Sequence, residues 1–254
     1  MSSDIRLPGK RTVLQYNMCA YVLGPALFHS TGGWHVSGRE NVPASGGALI
    51  CPNHISYLDP PAIGIAAKRR CCFMARKSLF EVPVLGPVIR SVYSYPVDRD
   101  EGGRQAIRLA TTLLEAGELV VMFPEGTRSP DGEMIAGQPG AVYVASRANA
   151  PIIPAAVWGT QMVMPRGGGF HRSPTYVRFG EPFHLPTPPE GERLSKAQLQ
   201  EITDLLMARI AELREQIIAQ VPDKALRRAQ AVAEALREKA RREAAPGDGQ
   251  QPPE

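Results

Sequence analysis

The sequence predicts an α/β fold: a mixed, mostly parallel sheet flanked by helices, with a helical arm in front and further helices behind. Three observations carry this. Two short apolar runs, Ala48-Leu49-Ile50-Cys51 and Leu119-Val120-Val121-Met122-Phe123, are closed by Pro52 and Pro124 and read as strands buried on both faces. Between them, Ile107, Ala110, Leu113 and Leu114 recur at helical spacing within Arg104 to Glu115, and Gly117 supplies a stop signal. Further strand candidates at Ser91 to Val97, Ile152 to Val157 and Thr175 to Phe179 continue the alternation. Such a sheet, covered on both faces, places ligands outside the carboxyl ends of its strands.

The chain has 254 residues, 43% of them hydrophobic, enough to bury a core without disulfides or metals. It divides into an arm over 1–33, an α/β domain over 34–193, helices over 194–243 and a tail over 244–254. In the arm, Thr12 to Phe28 carries no charge and follows Arg6, Lys10 and Arg11. Gln15 and Asn17 interrupt this run, and Gly24-Pro25 is expected to break it. A helix over 12–24 would rise only about 20 Å, short of a bilayer core of about 30 Å. The arm therefore reads as lying in the membrane interface, or as packing on the core.

Behind the domain, Ser195 and Gln198 form a capping box, and Ile202, Leu206, Ile210, Leu213 and Ile217 make an apolar stripe that docks a helix. After Pro222, seven basic residues from Lys224 to Arg242 face only Glu234 and Glu238, which suits either a solvated helix face or contact with anionic lipid. The tail, rich in Pro, Gly and Gln, reads as disordered, and Gly167-Gly168-Gly169 as a lid or a linker. A net charge of +4 favours anionic partners, but no nucleic-acid module accompanies it. Cys19, Cys51, Cys71 and Cys72 lack a disulfide or paired-cysteine pattern, so an intracellular chain with no metal site is expected.

Chemistry concentrates in two polar clusters, one after each proline-closed strand. In the first, Asn53-His54-Ile55-Ser56-Tyr57-Leu58-Asp59, a carboxylate across a tight turn or first helical turn could orient a histidine general base. A histidine that merely caps a helix shows the same spacing. In the second, Phe123-Pro124-Glu125-Gly126-Thr127-Arg128, Gly126 permits a tight path, Thr127 offers a hydroxyl and Arg128 a fork for phosphate oxygens. A surface turn with Glu125 paired to Arg128 is the plain alternative. Two such clusters on one sheet would put a base and a phosphate clamp on the same rim.

Together these clusters resemble the paired signatures of the glycerolipid acyltransferases. Ala75-Arg76-Lys77-Ser78-Leu79, Tyr95-Pro96-Val97-Asp98-Arg99 and Pro151-Ile152-Ile153-Pro154-Ala155-Ala156-Val157 resemble the intermediate and later blocks of that family. The resemblance spans about Trp34 to Gly180, and Gln138 departs from it where members usually carry a basic residue. It implies transfer of a fatty acyl group from acyl-CoA or acyl carrier protein to the free hydroxyl of lysophosphatidic acid, with no further cofactor. Glycerol 3-phosphate, a lyso-aminolipid or a glycolipid is the alternative acceptor, and a non-catalytic membrane-binding protein the alternative outside the enzymes. On this reading His54 is the general base and Asp59 orients it. Lys77, Arg99 and Arg128 would hold the acceptor phosphate, and Glu125, Gly126 and Thr127 would shape its pocket. An enzyme using two acyl-bearing substrates is expected to sit peripherally on the anionic, cytoplasmic face of the cell membrane.

Overall fold

The computed structural model describes residues 18–83, 89, 94–97, 103–165, 169–186 and 192–244. Arg99, the arm before Met18, most of the 167–169 glycine loop and the tail after Ala244 lie outside the described residues. A π-helical turn, Cys19–Leu23, leads into helix α1 (Gly24–Ser30), strand β1 (Trp34–Ser37) and a 3-10 turn, Arg39–Asn41. Then come β2 (Ala48–Pro52), α2 (Asp59–Ala67), β3 (Cys71–Arg76), a 3-10 turn at Lys77–Phe80 and β4 (Ser94–Val97). The chain continues through α3 (Arg104–Glu115), β5 (Leu119–Val121), α4 (Gly140–Ala148) and β6 (Ile152–Trp158). A single-turn helix α5 (Thr160–Val163), strand β7 (Thr175–Phe179) and two long helices, α6 (Lys196–Ile218) and α7 (Asp223–Ala244), complete it.

The strands form one sheet in the order β1-β7-β6-β2-β5-β3-β4. Every neighbouring pair is parallel except β6 and β7. Alternate side chains serve opposite layers, as the pleat requires. Ala48 and Ile50 of β2 join Phe28 of α1 and Ile63 of α2 on one face. Leu49 and Cys51 join Leu113 of α3, Val142 of α4, and Leu206 and Ile210 of α6 on the other. The capping box of α6 is present, with Gln198 N–H donating to Ser195 Oγ at 3.2 Å and Ser195 N–H to Gln198 Oε1 at 2.9 Å. Helix α6 thus shares the core of the sheet.

Helix α7 leans its half-buried Leu226 and Ala229 on the cluster of Trp158, Tyr176, Leu213 and Ile217. Two of its basic side chains are used internally: Arg237 Nε lies 2.7 Å from Asp131 Oδ2, and Arg228 donates to the Arg172 carbonyl at 2.9 Å. In the arm, Gly24-Pro25 does not break the run: the π-helical turn passes directly into α1, with Leu23 in the helical region at φ −70° and ψ −41°. Pro25 occupies the first turn of α1, just after the π-helical turn. Phe28 of α1 is 1% exposed and stacks on Trp34 at 4.6 Å, whereas Met18, Tyr21, Val22, Leu23 and Leu27 are exposed. Among the described residues no helix is long and apolar enough to cross a membrane.

Candidate active site

Parallel register assembles the site. Ile50 of β2 and Phe73 of β3 both pair with Val121 of β5. His54, Lys77 and Glu125 each lie four residues beyond that line, so three loops leave the sheet at one level on its carboxyl rim. Asp59 opens α2 and is 0% exposed. Its Oδ2 accepts from Ile55 N–H at 2.6 Å, Ser56 N–H at 2.7 Å and His54 Nδ1 at 2.8 Å. Its Oδ1 accepts from the Thr160 hydroxyl at 2.6 Å. Four donors satisfy a buried acid that would otherwise be costly to bury, and the helix N-terminus favours a negative charge there.

With Nδ1–H committed to Asp59, the lone pair of a neutral His54 lies on Nε2. The ring is held flat against Phe123, with centroids 4.0 Å apart and planes 26° apart, and it remains 17% exposed. A histidine oriented by a carboxylate and reachable from outside can accept a proton from a bound hydroxyl.

The second loop is stitched to the first through the backbone of His54. The His54 N–H donates to Glu125 Oε1 at 2.8 Å, and Ser129 N–H donates to the His54 carbonyl at 2.7 Å. Glu125 Oε2 accepts from Ile135 N–H at 3.1 Å. Burial pushes the Glu125 carboxyl above the ordinary glutamate range, and the two N–H donors, which pull the other way, do not offset it. Glu125 is 3% exposed with both oxygens turned to the backbone, so it braces the two loops. No Glu125–Arg128 surface pair forms, for the same reason.

Gly126, at φ +69°, occupies the left-handed region that disfavours a side chain, which lets the loop turn back so that Gln138 N–H reaches the Pro124 carbonyl at 2.7 Å. Thr127 is exposed. The Arg128 guanidinium lies 3.5 Å over the ring of Tyr57, a residue of the first loop. The two loops therefore meet at two places, the His54 backbone and this stacked cation. Lys77 is exposed at the end of β3.

Residues that sequence reasoning left out of the site hold it in place. The Asn53 amide donates to the Val157 carbonyl at 3.1 Å and accepts from Val157 N–H at 2.7 Å. Ser56 Oγ donates to the Met164 carbonyl at 3.4 Å. Asn53 and Ser56 sit inside the first cluster, and their polarity on a buried turn was the available signal. Thr160, about a hundred residues away, carried none.

Among the described residues no group of three or more His, Cys, Asp and Glu is placed to hold a metal. Cys51 and Cys71 contribute to opposite faces of the sheet, so the cysteines do not converge with His54. Burial pushes the Cys51 and Cys71 thiols up and that of Cys72 to about 12, which disfavours the nucleophilic thiolate.

A family model described as Acyltransferase matches residues 33–158, the stretch that contains both loops. The 1-acyl-sn-glycerol-3-phosphate acyltransferase of Bacillus subtilis (strain 168) is 32% identical over 211 residues, covering 80% of this chain and 98% of that protein. The chain belongs to the acyltransferase family. A second acyltransferase relative, the 1-acyl-sn-glycerol-3-phosphate acyltransferase of Saccharomyces cerevisiae, is 30% identical over 189 residues, 72% of this chain and 60% of that one. The acyltransferase fold is also met in the crystal structure of the 1-acyl-sn-glycerophosphate (LPA) acyltransferase PlsC from Thermotoga maritima, with a TM-score of 0.64 at 24% identity. That match covers 82% of this chain and 84% of the other.

Proposed function

We propose that this acyltransferase moves a fatty acyl group from a thioester to the free hydroxyl of lysophosphatidic acid, giving phosphatidic acid for phospholipid synthesis. The observation that carries the reading is the 2.8 Å bond from Nδ1 of His54, whose side chain stays 17% exposed, to a fully buried Asp59. His54 Nε2 takes the hydroxyl proton as the oxygen attacks the thioester carbonyl, and Asp59 stabilises the imidazolium that forms. The tetrahedral intermediate collapses to the ester and expels the thiolate of CoA or acyl carrier protein, which takes the proton back from His54. The electron pairs and the proton balance without any further cofactor.

Arg128 holds the acceptor phosphate, with Lys77 and Arg99 as further cations, and Gly126 and Thr127 border the headgroup. Glu125 acts through the His54 backbone. The relatives described as 1-acyl-sn-glycerol-3-phosphate acyltransferases support this acceptor, and so does the Arg128 guanidinium stacked on Tyr57 of the loop that carries His54. The test is mass spectrometry after incubating the purified protein with lysophosphatidic acid and oleoyl-CoA, which should yield phosphatidic acid. Acylation of glycerol 3-phosphate, a lyso-aminolipid or a lysoglycolipid in its place overturns the acceptor, and no acyl product from any of them overturns the reaction.

The exposed Met18, Tyr21, Val22, Leu23 and Leu27, preceded in sequence by Arg6, Lys10 and Arg11, form the surface that seats the enzyme peripherally on the anionic, cytoplasmic face of the membrane. Replacing Val22, Leu23 and Leu27 together with Ser should reduce flotation on anionic phospholipid vesicles. Phe28, being in the core, stays untouched, and unchanged flotation excludes the surface.

A further inference from the structure

We propose that Thr160 is a positioning residue of the reaction: its hydroxyl fixes the second oxygen of Asp59 so that the first stays on His54 Nδ1. This inference rests on the general-base reading above and extends it to a residue just past the stretch, 33–158, matched by the family model.

The geometry that delivers Thr160 is specific. Strand β6 ends at Trp158, and Gly159 follows at φ +93°. A Cβ at residue 159 would lie 2.0 Å from the Pro174 carbonyl oxygen, so only glycine lets the chain turn there. The turn swings Thr160 beneath the start of α2, where it is 0% exposed and its Oγ1 lies 2.6 Å from Asp59 Oδ1. The same segment receives two other side chains of the first loop, Asn53 at Val157 and Ser56 at the Met164 carbonyl. The 157–164 segment is thus the bed on which the His54 loop lies, and Thr160 is its one contact with the carboxylate that faces the base.

The chemistry follows from the two ends of that carboxylate. Oδ2 is held by the N–H groups of Ile55 and Ser56 as well as by His54. Oδ1 is held by the Thr160 hydroxyl, which fixes the plane of the carboxylate and draws part of its charge away from the imidazole. Without the hydroxyl the carboxylate can pivot on the two N–H groups that hold Oδ2, so its bond to Nδ1 loses its fixed direction and the imidazole its single orientation, while the charge no longer drawn to Oδ1 stabilises the imidazolium. The acid limb of kcat/KM should then move to higher pH. Among the described residues, the ionisable group bonded beside the pair is Glu125, from the loop after β5, and Arg128 and Tyr57 stack on each other at the rim. None of these is altered, and from α5 the neighbouring side chain, Gln161, is neutral.

The experiment compares Thr160→Val, which keeps shape and loses the donor, with Thr160→Ser, which keeps the donor. Thr160→Val should lower kcat about tenfold or more with acceptor KM within about twofold, and should raise the pH of the acid limb. Thr160→Ser should restore kcat to within about threefold and leave the limb in place. The His54 imidazole titration, followed by NMR in the unliganded protein, should shift upward in Thr160→Val alone. That readout needs no substrate, so it stands even where the proposed acceptor proves wrong. An unmoved titration and limb in a folded Thr160→Val, or equal losses in both variants, overturn the proposal. If Thr160→Val does not fold, Thr160→Ala read against Thr160→Ser makes the same comparison.

Discussion

The two loops on the rim are built by opposite means. The loop after β2 is internal: Asn53, Ser56 and Asp59 are all buried, and every one of them is spent on a hydrogen bond to backbone or to Thr160. The loop after β5 buries the two residues that brace the His54 backbone, Glu125 and Ser129, but leaves Gly126 and Thr127 exposed and Arg128 half-buried against Tyr57. The difference matches the two jobs. A general base gains from being held in one orientation, because its contribution is made in the transition state. A cation that receives a phosphate must present its donors at the surface, and stacking on an exposed aromatic ring, worth about 0.5–1 kcal/mol, is weaker than the charge-assisted pair a phosphate offers.

The largest test of this division removes the base. His54→Ala should lower kcat by about 10²- to 10⁴-fold or more and leave acceptor KM nearly unchanged. Steady-state kinetics over a range of lysophosphatidic acid concentrations measures both, and a rise in KM with intact kcat would show His54 to be a binding residue. Arg128→Ala should do the reverse. Losing one charge-assisted contact, worth roughly 1.5–3 kcal/mol, should raise acceptor KM at least tenfold while kcat falls much less. If the acceptor saturates Arg128→Ala as it does the wild type, the exposed loop is not the phosphate clamp.

The sequence exposed this architecture unevenly. Strands β2, β5 and β6 were legible because burial on both faces writes a continuous apolar run, and β7 because four of its five residues, all but Arg178, are β-branched or aromatic. The edge strand β1, with His35 exposed and Ser37 half-buried, writes none, and β3 begins with two cysteines that draw attention to their chemistry instead of their conformation. Helix α2 escaped notice because seven of its nine residues are buried, which erases the amphipathic period, and Pro60-Pro61 looks like a breaker although both prolines fall in the first turn. In the site, the His54 and Asp59 spacing could be read but not told apart from a helix cap. What decides between them is distant in sequence: the Thr160 hydroxyl at the far side of Asp59, and a glutamate whose oxygens turn toward backbone N–H groups. The direction in which a side chain points depends on the strand registers that pack around it, and a linear pattern does not contain those.

The smallest expected effect sharpens the comparison at the seam between the loops. Glu125 is the one ionisable group of the second loop that is built like the first, buried and bonded to backbone. Its carboxyl is raised above the ordinary glutamate value by burial, so in the folded state it holds its proton to higher pH than in the unfolded chain. Between those two values the folded state binds more protons, and linkage then requires stability to fall as pH rises through that window. The wild type should therefore lose some stability on going from the ordinary glutamate range upward, and Glu125→Gln, which cannot ionise, should lack that slope. The same variant offers only one acceptor oxygen for two N–H donors, which costs about 1–3 kcal/mol at all pH values and loosens the backbone under His54. Denaturant unfolding at several pH values would show a lower but flatter stability profile for Glu125→Gln, with a modest fall in kcat and acceptor KM little changed. A profile parallel to that of the wild type would mean that Glu125 carries its charge in the fold at no cost. The contrast between a buried base loop and an exposed clamp loop would then stop at Glu125, leaving the seam electrostatically part of the clamp.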